Sequence, residues 1–548
     1  MARQDVLAKA EQSLHDQRNI LPTRQTVTVF GLMALNVLIN FIDQNGISMT
    51  LPTIAADLGA GDTISWAGTA SLLANTTFQM LWGRLSDIFG RKTVYLSAIA
   101  LLSIADLGCG LSQTPAAFYV FRGVAGIGGG GITNLSMIIV SDVVTLEDRG
   151  KYQGIIGSMV GLGSIIGPFL AAAFTQRFTW RAYFWLISPL AAVTGTLSFF
   201  FLPSKPRTAS FRESVKKVDW MGSFTSSLGI ILILIPISGG GAYFDWNSPM
   251  VISMLVVGTV AFVLFVVLEW RVAKLPMMPI DIYKNVVVDV MLAQNFLFGL
   301  VYQAYIYYIP LYLQNAHQLS MVKSACLWIP LVGTQSICST LSGLYISRFK
   351  RYGELLWVGF GLWTLGAGLT LLLDRHTPFA VIIAIMLVIG LGVGCIFQPI
   401  LVALQAHSPT SRRAVIISNR NFYRCAGGAC GLAISAAVLQ ARLKSALPAE
   451  YSYLAGSTYS LPDFGDGAVP TGVLDAYMAA SHAVFVLQVP LIGICFAGNL
   501  LIKDRGLEPP QDRLAQGNRE TNLVDRGETG DSVVDQAAAD NSTGEKKS

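Results

Sequence analysis

Charge is what this chain has little of. Only 13% of its 548 residues are Asp, Glu, Lys or Arg, against 53% hydrophobic. Soluble domains carry about 25% charged residues, and the deficit here runs along the whole chain, which excludes a soluble enzyme held by one anchor. Alternating segments of barrel type are absent. The apolar runs are continuous and roughly 20 residues long, enough to span a bilayer as helices. Cysteine is sparse too: the seven lie in apolar stretches without CxxC or metal-ligand spacing, so they read as small hydrophobes. No metal or cofactor is expected. A nucleotide-binding P-loop is missing, which argues against an ATP-driven pump. The net charge of +5 resides in short loops between spans and signals no nucleic-acid partner. Residues 1–26 are polar and the first apolar run is long enough to span, so no cleavable signal peptide is expected.

What is present is an all-α polytopic membrane protein with fourteen expected spans. A cytosolic tail (1–25) precedes a first block of six helices (26–202): about Thr26–Met49, Trp66–Trp82, Val94–Leu111, Ala116–Val140, Tyr152–Phe174 and Tyr183–Leu202. Basic connections and an inserted pair fill 203–284, with helix 7 at about Trp220–Ser238 and helix 8 at about Met250–Leu268. The last six helices (285–502) are about Val286–Leu313, Ser324–Ile346, Leu355–Leu373, Phe379–Leu404, Val415–Leu439 and Tyr477–Ile502. A polar external loop occupies 441–476, and a disordered cytosolic tail with an Asn541 sequon occupies 503–548. Positive residues cluster after even-numbered helices, as in Arg149/Lys151, Arg348/Lys350/Arg351 and Arg412/Arg413. The positive-inside rule therefore places both termini in the cytosol.

Few side chains inside the spans carry chemistry. Asp43 in helix 1 reads as a proton site, because an ionisable group within a span faces a cavity or a partner; the competing reading is a carboxylate hydrated near the outer end. Asp106 in helix 3 has the same two readings. Arg122 heads helix 4, either facing inward to modulate a nearby acid or snorkelling to headgroups. Helices 4 and 5 are glycine-rich, which lets neighbours approach, and Gly167-Pro168 weakens helix 5. In helix 9, Asn295, Tyr302 and Gln303 are the expected cavity residues, while Tyr307–Gln314 reads as an interfacial belt. In helix 13, Arg420 is expected to snorkel and Arg424 to pair with an acid on another helix.

The stretch Gly83-x-Leu85-x-Asp87-x-x-Gly90-Arg91-Lys92, between helices 2 and 3, resembles the cytosolic signature of the major facilitator superfamily. Arg122 with Gly123, Gly126, Gly128 and Gly130 is similar to the superfamily's helix 4 motif. Gly163-x-x-x-Gly167-Pro168 resembles the helix 5 antiporter motif of exporters, departing from it at Ala171-Ala172. Asp43 through Leu51-Pro52 and Trp66, and Thr179-Trp180-Arg181 to Pro189, resemble the fourteen-helix drug:proton antiporter branch, with Ser188 where Asn is usual. Asp245-Trp246, and Arg424 before Gly427-Gly428, resemble fungal toxin and multidrug efflux pumps.

The resemblance implies two six-helix bundles around a central cavity, with the inserted pair beside them and rocker-switch alternating access. It also implies a conformational latch in which Asp87 pairs with basic residues and a helix end. The expected function is proton-coupled export of an amphipathic small molecule (drug, toxin or secondary metabolite) by a monomer in the plasma membrane. The alternative is a proton symporter for siderophores or a vacuolar carrier for basic amino acids. A non-transporting sensor is disfavoured by the short, featureless tails.

Overall fold

The computed structural model describes residues 22–60, 63–64, 66–203, 211–239, 244–273, 275–409, 412–456, 469–504 and 506–507. Most of both expected tails, the Asn541 sequon, Lys205 and Arg207, and the middle of the external loop lie outside the described residues. Among the described residues fourteen long helices follow one another: α1 Thr23–Leu58, α2 Trp66–Phe89, α3 Arg91–Leu111, α4 Pro115–Val143, α5 Leu146–Arg177, α6 Trp180–Phe201, α7 Trp220–Gly239, α8 Pro249–Arg271, α9 Val286–Asn315, α10 Met321–Phe349, α11 Gly353–Leu369, α12 Phe379–Phe397, α13 Arg413–Ala446 and α14 Thr471–Gly498. Thr114, Thr179, Ser248, Asn285 and Ser320 cap their helices through side-chain oxygens that accept N–H bonds.

Twelve of these helices are long and apolar enough to cross a membrane. The other two, α2 and α10, have 24 and 29 residues and fall short in apolar character rather than length. Their polar side chains have a use in the packing. Helices α1–α6 pack as α1 on α5, α2 on α4, α3 on α4, α3 on α6 and α1 on α6. The set α9–α14 repeats the same pattern eight helices later, as α9 on α13, α10 on α12, α11 on α12, α11 on α14 and α9 on α14. The principal contacts between the sets are α5 on α10 and α2 on α13, which the same correspondence exchanges. Helices α2 and α10 each face the opposite set, α2 through α13 and α10 through α5. The pair α7–α8 packs on itself, and α7 also lies against α2 and α13.

Three expected boundaries change. The basic stretch is not a ten-residue turn: α2 runs through Gly83 to Phe89, and the chain reverses at Gly90 alone, whose φ of 87° suits glycine. Residues Ala441–Ala446 continue α13, and α14 starts at Thr471, so the external loop is shorter at both ends. The expected helix 12 is broken at Gln398, and a separate helix Pro399–Ala406 completes it. Proline has no N–H to continue the ladder. The Leu401 amide instead bonds the Gln398 carbonyl at 3.0 Å. Helix α5, by contrast, runs unbroken through Pro168.

Candidate functional site

The three intramembrane charges of the first set meet. Nη1 of Arg122, from α4, donates to both carboxylate oxygens of Asp43, from α1, at 2.8 and 3.0 Å. The same nitrogen lies 3.8 Å from Oδ1 of Asp106, on α3. Asp43 is 2% exposed, Arg122 1% and Asp106 0%. These values overturn the hydrated reading of both acids and the snorkelling reading of Arg122. The reason is length: α1 continues fifteen residues beyond Asp43, to Leu58, so Asp43 lies well inside the span rather than near its end. Neither oxygen of Asp106 accepts a hydrogen bond. The rings of Phe118, Trp180 and Phe184 pack edge to face beside the cluster, and Arg122 lies 6.0 Å from the Phe184 ring. Trp180 and Arg181 donate to Asp57 at 3.0 and 2.5 Å, tying the start of α6 to the end of α1. Asp57 was not singled out in the sequence, where it looks like any polar residue at a helix end.

Glycines bring α4 and α5 against their neighbours. A Cβ at Gly126 would meet the backbone of α2, one at Gly128 that of α3, and one at Gly129 Asn40 of α1. In the expected antiporter motif, Gly163 and Gly167 face the backbone of α1 at Leu38–Ile42 and at Ile42–Gly46, just ahead of Pro168. That contact brings helix 5 onto the segment that carries Asp43.

The signature residues form a second cluster. Asp87 accepts from Arg91 at 2.6 Å and lies 3.6 Å from Arg84. Arg91 also bonds Asp142, at the end of α4, at 2.8 Å. Arg84 donates to the Pro276 carbonyl at 2.6 Å, which attaches the hairpin to the segment between α8 and α9. Lys92 stands apart from the cluster, over the Phe199 ring at 5.1 Å. A Cβ on Gly83 would overlap Ser418 of α13, so this glycine is a point of closest approach between the two sets.

Several bonds join the sets near this end. Asn134 donates to Ser418 at 2.9 Å and accepts from Asn421 at 3.2 Å. Arg149 donates to Gln405 at 3.2 Å. Ser158 donates to the Ser336 carbonyl at 2.7 Å and is also bonded to Thr340. All of these lie toward the end of the bundle that holds Gly90.

The expected cavity residues separate. Asn295 is buried and donates to the Met291 carbonyl one turn back on its own helix, so it is committed locally. Tyr302 donates to Gln335 of α10 at 2.9 Å and stacks on Phe298. Gln303 lies over Gly428 of α13. Arg420 is 1% exposed, which corrects the snorkelling expectation. It donates to the Phe397 carbonyl at 2.6 Å and to Asn421 at 2.9 Å. Arg424 has no acid partner among the described residues; its guanidinium lies 5.3 Å from the Phe397 ring. Sequence reasoning missed Phe397 and Gln398, whose only signal was the Gln398-Pro399 break.

These elements can be set beside known proteins. The Major Facilitator Superfamily profile matches residues 33–432. The chain is 45% identical over 546 residues to Citrate exporter 1 of Yarrowia lipolytica, covering 98% of this chain and 81% of that protein. It is 42% identical over 505 residues to the MFS-type transporter clz4 of Cochliobolus lunatus, covering 91% and 90%. It is 32% identical over 452 residues to the efflux pump dotC of Dothistroma septosporum, covering 82% and 76%. Among solved structures, the proton:xylose symporter XylE superposes with a TM-score of 0.57 at 13% identity, covering 89% of this chain and 98% of that one. The human organic anion transporter MFSD10 gives 0.56 at 15% identity, covering 87% and 100%. Those two likenesses concern the fold. The family match and the fungal relatives place the chain in the major facilitator superfamily, beside the fungal efflux pumps, as a transporter and not an enzyme.

Proposed function

We propose that the chain exports small organic compounds in exchange for protons by alternating access. The observation that carries this reading is the dry cluster of Asp43, Arg122 and Asp106, with one guanidinium for two carboxylates. With all three groups ionised, the cluster retains one negative charge away from water. A proton cancels that charge, and an intramembrane carboxylate that binds and releases a proton is a coupling device. The glycine contact of α5 on α1 supports transmission of that event to a helix that also faces the second set.

The same reading takes all fourteen long helices as spans. Even α2, with 24 residues, is about 36 Å long, enough to cross the hydrocarbon core. It groups α1–α6 and α9–α14 as two bundles, with α7–α8 inserted. The basic turn and both termini lie in the cytosol, in the plasma membrane, and the protein works as a monomer. The bonds near Gly90 then close the cytosolic side, with Gly83, Asp87, Gly90 and Arg91 as the latch. Tyr302, Gln303 and Arg424 line the substrate path. The named relatives include a citrate exporter and efflux pumps, so the candidate cargo runs from organic acids to amphipathic metabolites. The test is flux in proteoliposomes under an imposed proton gradient. Transport should follow the gradient and fall at least tenfold in Asp43→Asn, a loss equal to about 1.4 kcal/mol. Flux indifferent to the gradient would sink the reading.

A further inference from the structure

The proton cluster accounts for the charges of the first set and leaves those of α13 unexplained. Arg420 and Arg424 stand one turn apart there. Neither makes an ion pair with a carboxylate among the described residues, and the Nε atom of each is buried without a hydrogen-bond partner. A guanidinium cannot shed its proton to escape burial, and an uncompensated charge inside a membrane protein is costly and marks function.

The surroundings hold the pair in place without neutralising it. The break at Pro399 leaves the Phe397 carbonyl to accept from Arg420. The Phe397 ring lies 5.1 Å from the Arg420 guanidinium and 5.3 Å from that of Arg424, so both cations share one aromatic side chain. Beside them Gln398 is 0% exposed, and neither atom of its amide has a partner. Its amide nitrogen would sit 2.9 Å from a Cβ at Gly157 of α5, so Gln398 lies where the two sets meet. Two cations without a carboxylate partner among the described residues and an unpaired neutral amide thus converge at the plane the sets share, next to a broken helix, a construction that secondary transporters use for binding.

We propose that Arg420 and Arg424, with the Gln398 amide, bind carboxylates of the cargo, so the substrate is a small organic anion. Planar guanidinium forks match carboxylate geometry, and both reach one small ligand because they flank the same ring. A di- or tricarboxylate engages the pair fully. The proposal rests on the transporter reading and not on proton coupling.

The experiment is equilibrium binding to the purified full-length chain without any gradient. The probes are citrate, its neutral trimethyl ester and sulfate. Citrate should bind, and the ester at least about tenfold more weakly, because it offers no charge to the forks. Arg424→Gln should lower citrate affinity by a similar factor, and Arg424→Lys should recover part of it. An ester that binds as well as citrate, sulfate that competes as well as citrate, or full citrate affinity in Arg424→Gln would each overturn the proposal. The acid-against-ester comparison uses the unaltered chain, so a variant that fails to fold leaves the test intact. Flux that ignores the proton gradient would sink the export reading while leaving this site standing. Loss of the discrimination between acid and ester would sink the site alone.

Discussion

A guanidinium between two carboxylates divides its strength unequally. Arg122 bonds Asp43 through both oxygens and stands 3.8 Å from Asp106. Removing the shared cation strands two acids, and breaking a buried pair typically costs about 3–5 kcal/mol. Arg122→Gln should therefore lower the thermal unfolding temperature markedly, whereas Asp106→Asn, which removes no hydrogen bond, should change it little. Equal losses in the two variants would mean that Asp106 is as firmly held as Asp43. A second residue-scale prediction concerns Gly83. A side chain there meets Ser418 across the two sets, and overpacking costs about 1–3 kcal/mol. Gly83→Val should disfavour the conformer closed near Gly90, seen as faster alkylation of Ser418→Cys; unchanged labelling would remove Gly83 from the contact. These sites differ in how far the sequence displayed them. Asp43 and Arg122 were visible because a charge in an apolar run stands out. Arg420 was visible but misread: its distance from the helix start suggested a reach to water, and only the packing of α2, α9 and the helix Pro399–Ala406 against α13 closes that route.

At the scale of the element, the broken α12 carries the most chemistry. Pro399→Ala restores an amide and lets the helix continue, which would draw the Phe397 carbonyl into the ladder and away from Arg420. Citrate affinity in the binding assay should fall by about tenfold while the helix content read by circular dichroism stays level or rises. A Pro399→Ala protein with undiminished affinity would show that the break does not organise the site. Helix order was legible because most of the long helices are continuous apolar runs, twelve of them long and apolar enough to cross a membrane. The break was not, since proline is common within spans and α5 passes through Pro168 without interruption. The basic hairpin shows the converse limit: charge in Gly83–Lys92 suggested a loop, yet paired Asp87, Arg84 and Arg91 let the helix keep going to Gly90.

For the whole molecule, what matters is which surfaces part. The two sets repeat one packing pattern, and their mutual contacts α5–α10 and α2–α13 are exchanged by the correspondence that relates them. Such paired seams can open at one end while closing at the other without repacking either set. The first seam holds Ser158 against Ser336 and Thr340. It lies toward the end that holds the ion-paired hairpin, so the two devices should act together. Hydrogen bonds between membrane helices average only about 0.6 kcal/mol each, so these bonds alone would not hold the seam shut against the alternating access proposed above. A covalent link across it would. Oxidation of a Ser158→Cys/Thr340→Cys double variant should abolish transport, a reductant should restore it, and Ser158→Cys alone should transport under either condition. Full transport by the cross-linked protein would mean that α5 and α10 never separate there, and that the cargo moves along a path other than the plane between the sets.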